Sequence, residues 1–328
     1  MRISYHTVSS NLTTSNGYGY AGSHIERSLR KQGHQVSFRD IQAPVQLNFV
    51  QADRYRIRDG QYQIGYTPWE SSELPSGWLN GFSRVDEVWT PSEKCAEWFK
   101  DAGVNKPIRV FHHGVEKVWK PKKRNSRKRL NFLHVGDPAP RKGGQLTLDA
   151  FRAAFGADPD YHLTLKCQDH TSTRIYDGSG PFKSIIGHPS TLPNVTIITD
   201  TLPIGELVSL YYSNHVMVYP SYGEGFGFIP LQALATGMPT ICTGEWAPYN
   251  NFLGDLSLES RDISSPWPEI HPGKMSEPSF DHLVSLFRQV AENREKYFDS
   301  FYEQAEQVHA DYDWMTLTKN AFAHLETL

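Results

Sequence analysis

A strand that runs through a glycine-rich turn into a capped helix constrains this chain more than any other feature. The stretch is Val216 to Tyr219, then Pro220-Ser221-Tyr222-Gly223-Glu224-Gly225-Phe226-Gly227, then Phe228-Ile229-Pro230-Leu231-Gln232-Ala233. Val216 to Tyr219 is a short apolar run of strand character, and Gly223, Gly225 and Gly227 permit backbone geometry that a side chain would resist. Pro230 suits a first helical turn, and Gly237-Met238-Pro239 ends the helix. Glu224 then lies in the loop and Gln232 in the first turn, both facing a helix N-terminus whose N–H groups can receive an anion.

The same alternation extends in both directions. Arg2 to Thr7 reads as a strand. The loop Ser15-Asn16-Gly17-Tyr18-Gly19-Tyr20 leads into a helix with Ala21, Ile25 and Leu29 on one face, closed by Gly33 before a strand from Gln35 to Phe38. Gly17 and Gly19 read equally as a phosphate approach or as a plain tight turn, because the loop does not spell GxGxxG at its proper spacing. Further strands are predicted at Tyr62 to Tyr66, Glu87 to Trp89 and Ile108 to Phe111, with a helix from Ser92 to about Ala102 and a proline- and aromatic-rich loop at Thr67 to Pro75. His112 and His113 point to opposite faces of a strand, so each reads as a satisfied structural histidine.

After residue 130 the pattern restarts. Strands are predicted at Asn131 to Val135, His162 to Cys167, Val195 to Ile198 and Thr240 to Cys242, and helices at Gly144 to Phe155 and Glu206 to Ser213. An irregular, proline-rich stretch runs to Pro278, followed by helices over roughly Phe280 to Asn293, Arg294 to Ala310 and Trp314 to Leu328. This predicts an α/β chain of two doubly wound parallel-sheet domains, residues 1–120 and 121–311, with the cleft between them as the binding site.

A chain of 328 residues suits two domains of roughly 150 residues each. Its net charge of -3 excludes a protein basic throughout but leaves room for a local patch. Lys117, Lys120, Lys122, Lys123, Arg124, Arg127, Lys128 and Arg129 form one, with no acidic residue between Lys117 and Arg129. It reads as a solvated interdomain linker or as a docking patch for a polyanion. Cys95, Cys167 and Cys242 are scattered and lack CxxC spacing, so neither a disulfide framework nor a zinc site is indicated, and reduced thiols in a cytoplasm fit. The N-terminus lacks the apolar core of a signal peptide, and no segment approaches the length of a membrane span.

Tyr219-Pro220-Ser221, Glu224-Gly225-Phe226-Gly227 and Ala233 to Pro239 together resemble the signature of the retaining GT-B glycosyltransferases of group 1, the GT4-like enzymes. The resemblance extends over nearly the whole chain, through Gly17-Tyr18-Gly19, Gly33-His34, Gly65 to Trp78, Asp86 to Ser92, His113-Gly114-Val115 and Gly136 with Lys142-Gly143. It implies two Rossmann-like domains, the first on the acceptor side and the second holding a nucleotide-diphosphate sugar of UDP or GDP type. The closing Tyr312-Asp313-Trp314 and the helix over 312–328 would pack back on the first. Glu224 is implied as the donor-sugar glutamate. Gln232 stands where the family's second glutamate contacts the ribose, and Asp137 where it usually has an arginine, so Arg141 beside Lys142 is the expected replacement cation. Gly17, Gly19, Gly136, Gly225, Phe226 and Gly227 are implied around the donor, Glu70 and His113 on the acceptor side, and no cofactor or catalytic metal is implied.

Breaking an anomeric C–O bond puts charge on the leaving phosphate and makes the ring oxocarbenium-like. Arg141 and Lys142 would clamp the diphosphate, aided by the helix N-terminus after Phe228, and Glu224 would face the positive ring. A glycoside hydrolase would need a carboxylate pair, which the sequence does not display. A noncatalytic nucleotide-sugar or polyanion-binding protein is the other rival, favoured by Gln232 and Asp137. Glycans, lipids, protein side chains and modified DNA bases all remain open as acceptors.

Overall fold

In the computed structural model of the chain, residues 1–7, 16–125, 129–167 and 193–327 are described. Their strands form two parallel six-stranded sheets and one small antiparallel hairpin. The first sheet contains β1 (Arg2–His6), β2 (Gln35–Ser37), β3 (Val45–Phe49), β4 (Tyr62–Tyr66), β5 (Glu87–Thr90) and β6 (Ile108–Val110), in the order β2-β1-β3-β4-β5-β6. The second contains β7 (Leu130–Val135), β8 (Tyr161–Lys166), β9 (Val195–Ile198), β10 (Val216–Tyr219), β11 (Thr240–Thr243) and β12 (Ser257–Leu258), in the order β12-β11-β10-β7-β8-β9. Strand order reverses once in each sheet, between β1 and β3 and between β7 and β10. Diverging connections leave a crevice beyond the carboxyl ends of the strands at such a point. The turn after β7 and the glycine-rich loop after β10 both open into the second crevice.

The helices are α1 (Gly17–Lys31), α2 (Trp78–Ser83), α3 (Glu93–Asp101), α4 (Gly144–Phe155), α5 (Ile204–Ser213), α6 (Phe228–Ala235), α7 (Phe280–Glu292), α8 (Arg294–Asp311) and α9 (Trp314–Phe322). Local chemistry fixes several starts. The side chain of Asn16 accepts from Gly19 N, Ser92 from Cys95 N, Ser279 from His282 N and Asp313 from Thr316 N, each satisfying an otherwise orphan donor. One core of the second lobe centres on Phe132, Phe151, Leu231 and Phe287. In the first lobe, Ile3, Tyr5, Ile25, Leu47 and Tyr66 pack with Trp314, Phe322 and Leu325, so the C-terminal segment lies against the first sheet.

Four readings of the sequence need correction. Strand β3 was not anticipated, because Gln46 and Asn48 break its apolar pattern; both are buried, and Asn48 Oδ1 accepts from Arg56 N at 2.9 Å. Helix α2 was also missed. The stretch before Pro278 is not irregular throughout, since β13 (Ser260–Ser264) and β14 (Lys274–Pro278) pair antiparallel. The last helix ends at Phe322 and continues as a 3-10 turn over Ala323–Thr327; Leu328 lies outside the described residues.

The basic stretch is not a uniformly solvated linker. Arg124 is 5% exposed, Lys122 Nζ donates to Tyr212 O at 3.0 Å, and Lys123 pairs with Asp299 at 3.5 Å. Arg127 and Lys128 lie outside the described residues. No helix among the described residues is long and apolar enough to cross a membrane.

Candidate active site

Glu224 and Lys142 meet at the reversal point of the second sheet. Gly143, at the start of α4, has φ +73°, and a Cβ there would sit 2.1 Å from Pro220 O, so the turn after β7 lies directly on the loop after β10. Tyr222 N donates to Arg141 O at 2.9 Å, and Ser221 Oγ lies 3.2 Å from the same carbonyl. These contacts hold the two basic side chains against the glutamate. Lys142 Nζ lies 2.7 and 2.8 Å from the two Glu224 carboxylate oxygens, and Arg141 Nη1 lies 3.2 Å from Oε1. Tyr219 OH and Ser221 Oγ also donate to Oε1, at 2.9 and 2.7 Å.

Burial alone would raise the pKa of Glu224, but Lys142 and Arg141 more than offset it and bring the value down to about 2. At neutral pH the group is an ionised carboxylate held between two cations. The sequence supplied the residues Tyr219 and Ser221 but gave them no role; their signal was the short spacing to Glu224 across a tight loop.

Arg141 is more committed than a free phosphate clamp would be. Its guanidinium also donates to Gly223 O, and Nη2 stands 3.8 Å from Glu70 Oε1. The sequence displayed no carboxylate pair, yet Glu70 and Glu224 share this one guanidinium. Glu70 arrives from the first lobe because the loops touch at backbone level. A Cβ on Gly223 would lie 2.3 Å from Glu70 O, and one on Gly225 2.3 Å from Pro68 Cβ. Gly225 and Gly223 are therefore where the lobes close on each other. Gly227, at φ +83°, is pressed against Trp246 and receives the Tyr249 hydroxyl at its carbonyl, 2.6 Å away.

The remaining expected residues divide. Gly136 sits beside Lys142, its amide donating to Lys166 O at 3.0 Å. Gly17 and Gly19 begin α1; a Cβ on Gly17 would meet nothing within 4 Å, so crowding does not explain that glycine. Phe226 is 3% exposed and fills an aromatic cluster with Phe228 and Tyr249. His112 is satisfied, bonding Pro91 O at 2.8 Å and Glu93 at 3.2 Å. His113 is not: both ring nitrogens are buried without a hydrogen-bond partner, and the ring stacks on Phe228 at 4.9 Å. Burial, reinforced by His112, lowers its pKa to about 3, so it is neutral. Among the described residues no group of three or more His, Cys, Asp or Glu side chains is placed to hold a metal ion.

The sequence profile described as "Family 4 Glycosyltransferase in conflict systems" matches residues 93–320. The chain belongs to this glycosyltransferase family. A curated relative, the D-inositol 3-phosphate glycosyltransferase of Corynebacterium glutamicum (strain R), is 30% identical over 108 residues, which is 33% of this chain and 25% of that protein. The enzyme of the same name from Arthrobacter sp. (strain FB24) is 27% identical over 201 residues, 57% of this chain and 41% of that protein. The chain thus aligns with less than half the length of either relative. A glycosyltransferase from Rickettsia africae ESF-5 superposes with a TM-score of 0.69 at 10% identity, covering 99% of this chain and 97% of that one. Trehalose-6-phosphate synthase from E. coli bound with UDP-2-fluoro glucose gives 0.64 at 11% identity, covering 94% and 78%. These likenesses establish the GT-B arrangement of two Rossmann-like sheets.

Gln232 stands where the resemblance implied a second glutamate, and the structure shows what a glutamine does there. Gln232 Nε2 donates to the Tyr20 hydroxyl at 3.3 Å, and that hydroxyl donates onward to Glu116. Glu116 also receives Trp119 Nε1 at 3.0 Å and Trp314 Nε1 at 3.1 Å and pairs with His24 at 3.1 Å. Tyr20 has one proton to give, and Glu116 takes it. Only a side chain that donates, as a glutamine does, can sit opposite. Gln232→Glu should therefore lower stability by about 1–2 kcal/mol at neutral pH, the cost of an unsatisfied buried charge-bearing group. Glu116→Gln should restore part of that loss in the double variant, because the Tyr20 proton can then turn to the new carboxylate while one of the indole N–H groups loses its acceptor. Thermal denaturation of the four-member cycle measures the coupling, and strictly additive effects would refute the relay.

Proposed function

We propose that the chain is a retaining glycosyltransferase that moves a sugar from a nucleotide-diphosphate donor, of UDP or GDP type, to a hydroxyl-bearing acceptor such as a glycan, lipid or protein. The observation that carries this reading is the Lys142–Glu224 ion pair at the reversal point of the second sheet, with α6 beginning beside it. A diphosphate entering there competes with Glu224 for Lys142 and offers it two charges. The freed carboxylate then faces the sugar ring, where positive charge grows in the transition state.

Retention is supported by what Glu224 cannot do. Arg141 stays on Glu224 when the diphosphate takes Lys142 and keeps it a weak base, so in this scheme the departing phosphate oxygen accepts the acceptor proton on the same face. The E. coli trehalose-6-phosphate synthase of the same fold is described with a UDP-sugar, and a related structure concerns transfer with retention, which agrees with this reading. Glu70 and His113 are proposed on the acceptor side of the cleft, and the sugar donor requires no metal or other cofactor in this scheme. Transfer to a modified DNA base or simple polyanion binding through Lys117 to Arg129 is the weaker reading, because Arg124 is withdrawn into the core.

A thermal-shift screen with UDP, GDP, ADP and their sugars tests the donor. A ligand bound by the native state alone stabilises it by RT ln(1 + L/Kd), with L the free ligand concentration, and so raises the melting temperature. One nucleotide series should stand out, with its sugar releasing nucleoside diphosphate when an acceptor is added. Donor binding with no release in the presence of any acceptor would leave the noncatalytic reading in its place.

A further inference from the structure

The hairpin β13–β14 reaches across the cleft and is tied to both lobes. On the second lobe Ser276 N donates to Tyr222 O at 2.9 Å, and Trp267 meets Tyr222 edge to face at 5.5 Å. On the first, Lys274 N donates to Ser72 Oγ at 2.7 Å and Ser72 N to Lys274 O at 3.0 Å. Gly273, at φ +84°, lets this contact form at backbone level, since a Cβ would lie 2.5 Å from Ser72 Oγ.

Between the two anchors stands His271. It is 7% exposed, its ring centroid is 5.5 Å from that of Trp69, and its backbone N–H is spent on Trp267 O at 2.8 Å. Its Nδ1 is buried with no hydrogen-bond partner. Leaving such a nitrogen unpaired costs about 1–3 kcal/mol, so the position asks for a group from outside the chain. Burial lowers its pKa, and the charges of Glu70, Arg141, Glu224 and Lys142 all reach it. A neutral imidazole both donates and accepts, as a sugar hydroxyl does, whereas a phosphate would call for a donor only. Trp69, buried against Trp78 and held by its Nε1–H on Glu73 O at 2.7 Å, backs the imidazole and fixes its place next to Glu70.

We propose that His271 is a further substrate-contacting residue, carried by the hairpin to the Glu70–Arg141–Glu224 cluster, where its ring bonds a hydroxyl of the transferred sugar. This inference rests on the sugar-transfer reading. Calorimetry with UDP, GDP, UDP-glucose and GDP-mannose on wild type, H271F and H271Q tests both. H271F loses no hydrogen bond within the protein and keeps a ring against Trp69, so it should melt within about 2 °C of wild type. It should bind the bare nucleotide as wild type does, but the nucleotide sugar about tenfold more weakly, the loss of one hydrogen bond of about 1.4 kcal/mol. H271Q, which still presents an amide, should recover most of that affinity. H271F binding the nucleotide sugar as tightly as wild type would overturn the assignment. A wild type that binds none of the four probes would remove the donor reading itself, and this inference with it.

Discussion

Glu224→Gln should lower turnover by about 100- to 1,000-fold, the range seen when one preorganised electrostatic group is removed from a site where charge develops. The expectation follows from the carboxylate's surroundings. Glutamine is close in shape and can keep the bonds from Ser221 and Tyr219, so the loop need not rearrange. What disappears is the negative charge facing the ring. The variant also unpairs Lys142, which makes the site more positive where the diphosphate arrives, so affinity for UDP or GDP should hold or increase. That combination, tight nucleotide binding with slow transfer, separates a role at the sugar from a role in holding the fold. Rates of nucleoside diphosphate release and calorimetric affinities measure the two halves, and wild-type turnover in the variant would refute the assignment.

The same ion pair gives a pH dependence whose sign is fixed. Because the folded-state pKa of Glu224 lies below its ordinary value, the pair stabilises the fold above the unfolded carboxylate range. That contribution shrinks as pH falls from about 4.5 toward about 2 and is absent below both values. Removing the carboxylate should therefore flatten this portion of the acid-denaturation curve.

The strand and helix alternation was legible because a parallel strand buried on both faces is a short apolar run, as at Val216–Tyr219, and because Ser92 and Pro230 mark helix starts locally. Strand β3 was illegible for the opposite reason. Gln46 and Asn48 are buried by tertiary packing that the local pattern does not announce. At the site, Glu224 and Lys142 could be chosen from their motifs, since each stands at a fixed offset from a glycine turn. Their pairing could not, because it depends on strand order bringing β7 beside β10. The same holds for Arg141, expected to replace the arginine that the resemblance implied after Gly136, whose contacts with Gly223, Glu224 and Glu70 depend on the same meeting of loops. Tyr20, Glu116 and His271 had no local signal at all. Each acts across a distance in sequence; for Tyr20 and Glu116 the hint was a glutamine at 232 where the resemblance implied a glutamate, and for His271 there was none.

Arg124→Met should cost about 2–3 kcal/mol of stability, each carbonyl left unpaired in the interior costing about 1 kcal/mol or more. Arg124 lies where α5 and α6 both end. Nε donates to Asn214 O at 3.2 Å, Nη1 to Thr236 O at 2.8 Å and Lys122 O at 3.2 Å, and Nη2 to Tyr211 O at 3.3 Å and Thr236 Oγ1 at 3.0 Å. The last carbonyls of a helix have no partner within it and carry partial negative charge, so one guanidinium caps two helices at once. Desolvation works against this arrangement; burial pulls the guanidinium pKa down to about 9. Methionine relieves that penalty, which offsets part of the loss but leaves the carbonyls of Asn214, Lys122 and Tyr211 without this donor, while Thr236 O keeps the Lys122 amide at 3.0 Å, and the combined cost prevails. Arg124→Lys keeps the charge but not the fork and should fall between. Chemical denaturation followed by the fluorescence of Trp119, packed 4.8 Å from Tyr211, reads the effect in the second lobe. If association with a polyanion is also measured, Arg124→Met should leave its salt dependence unchanged, because the guanidinium is turned inward. A variant as stable as wild type would mean that water caps these helices equally well.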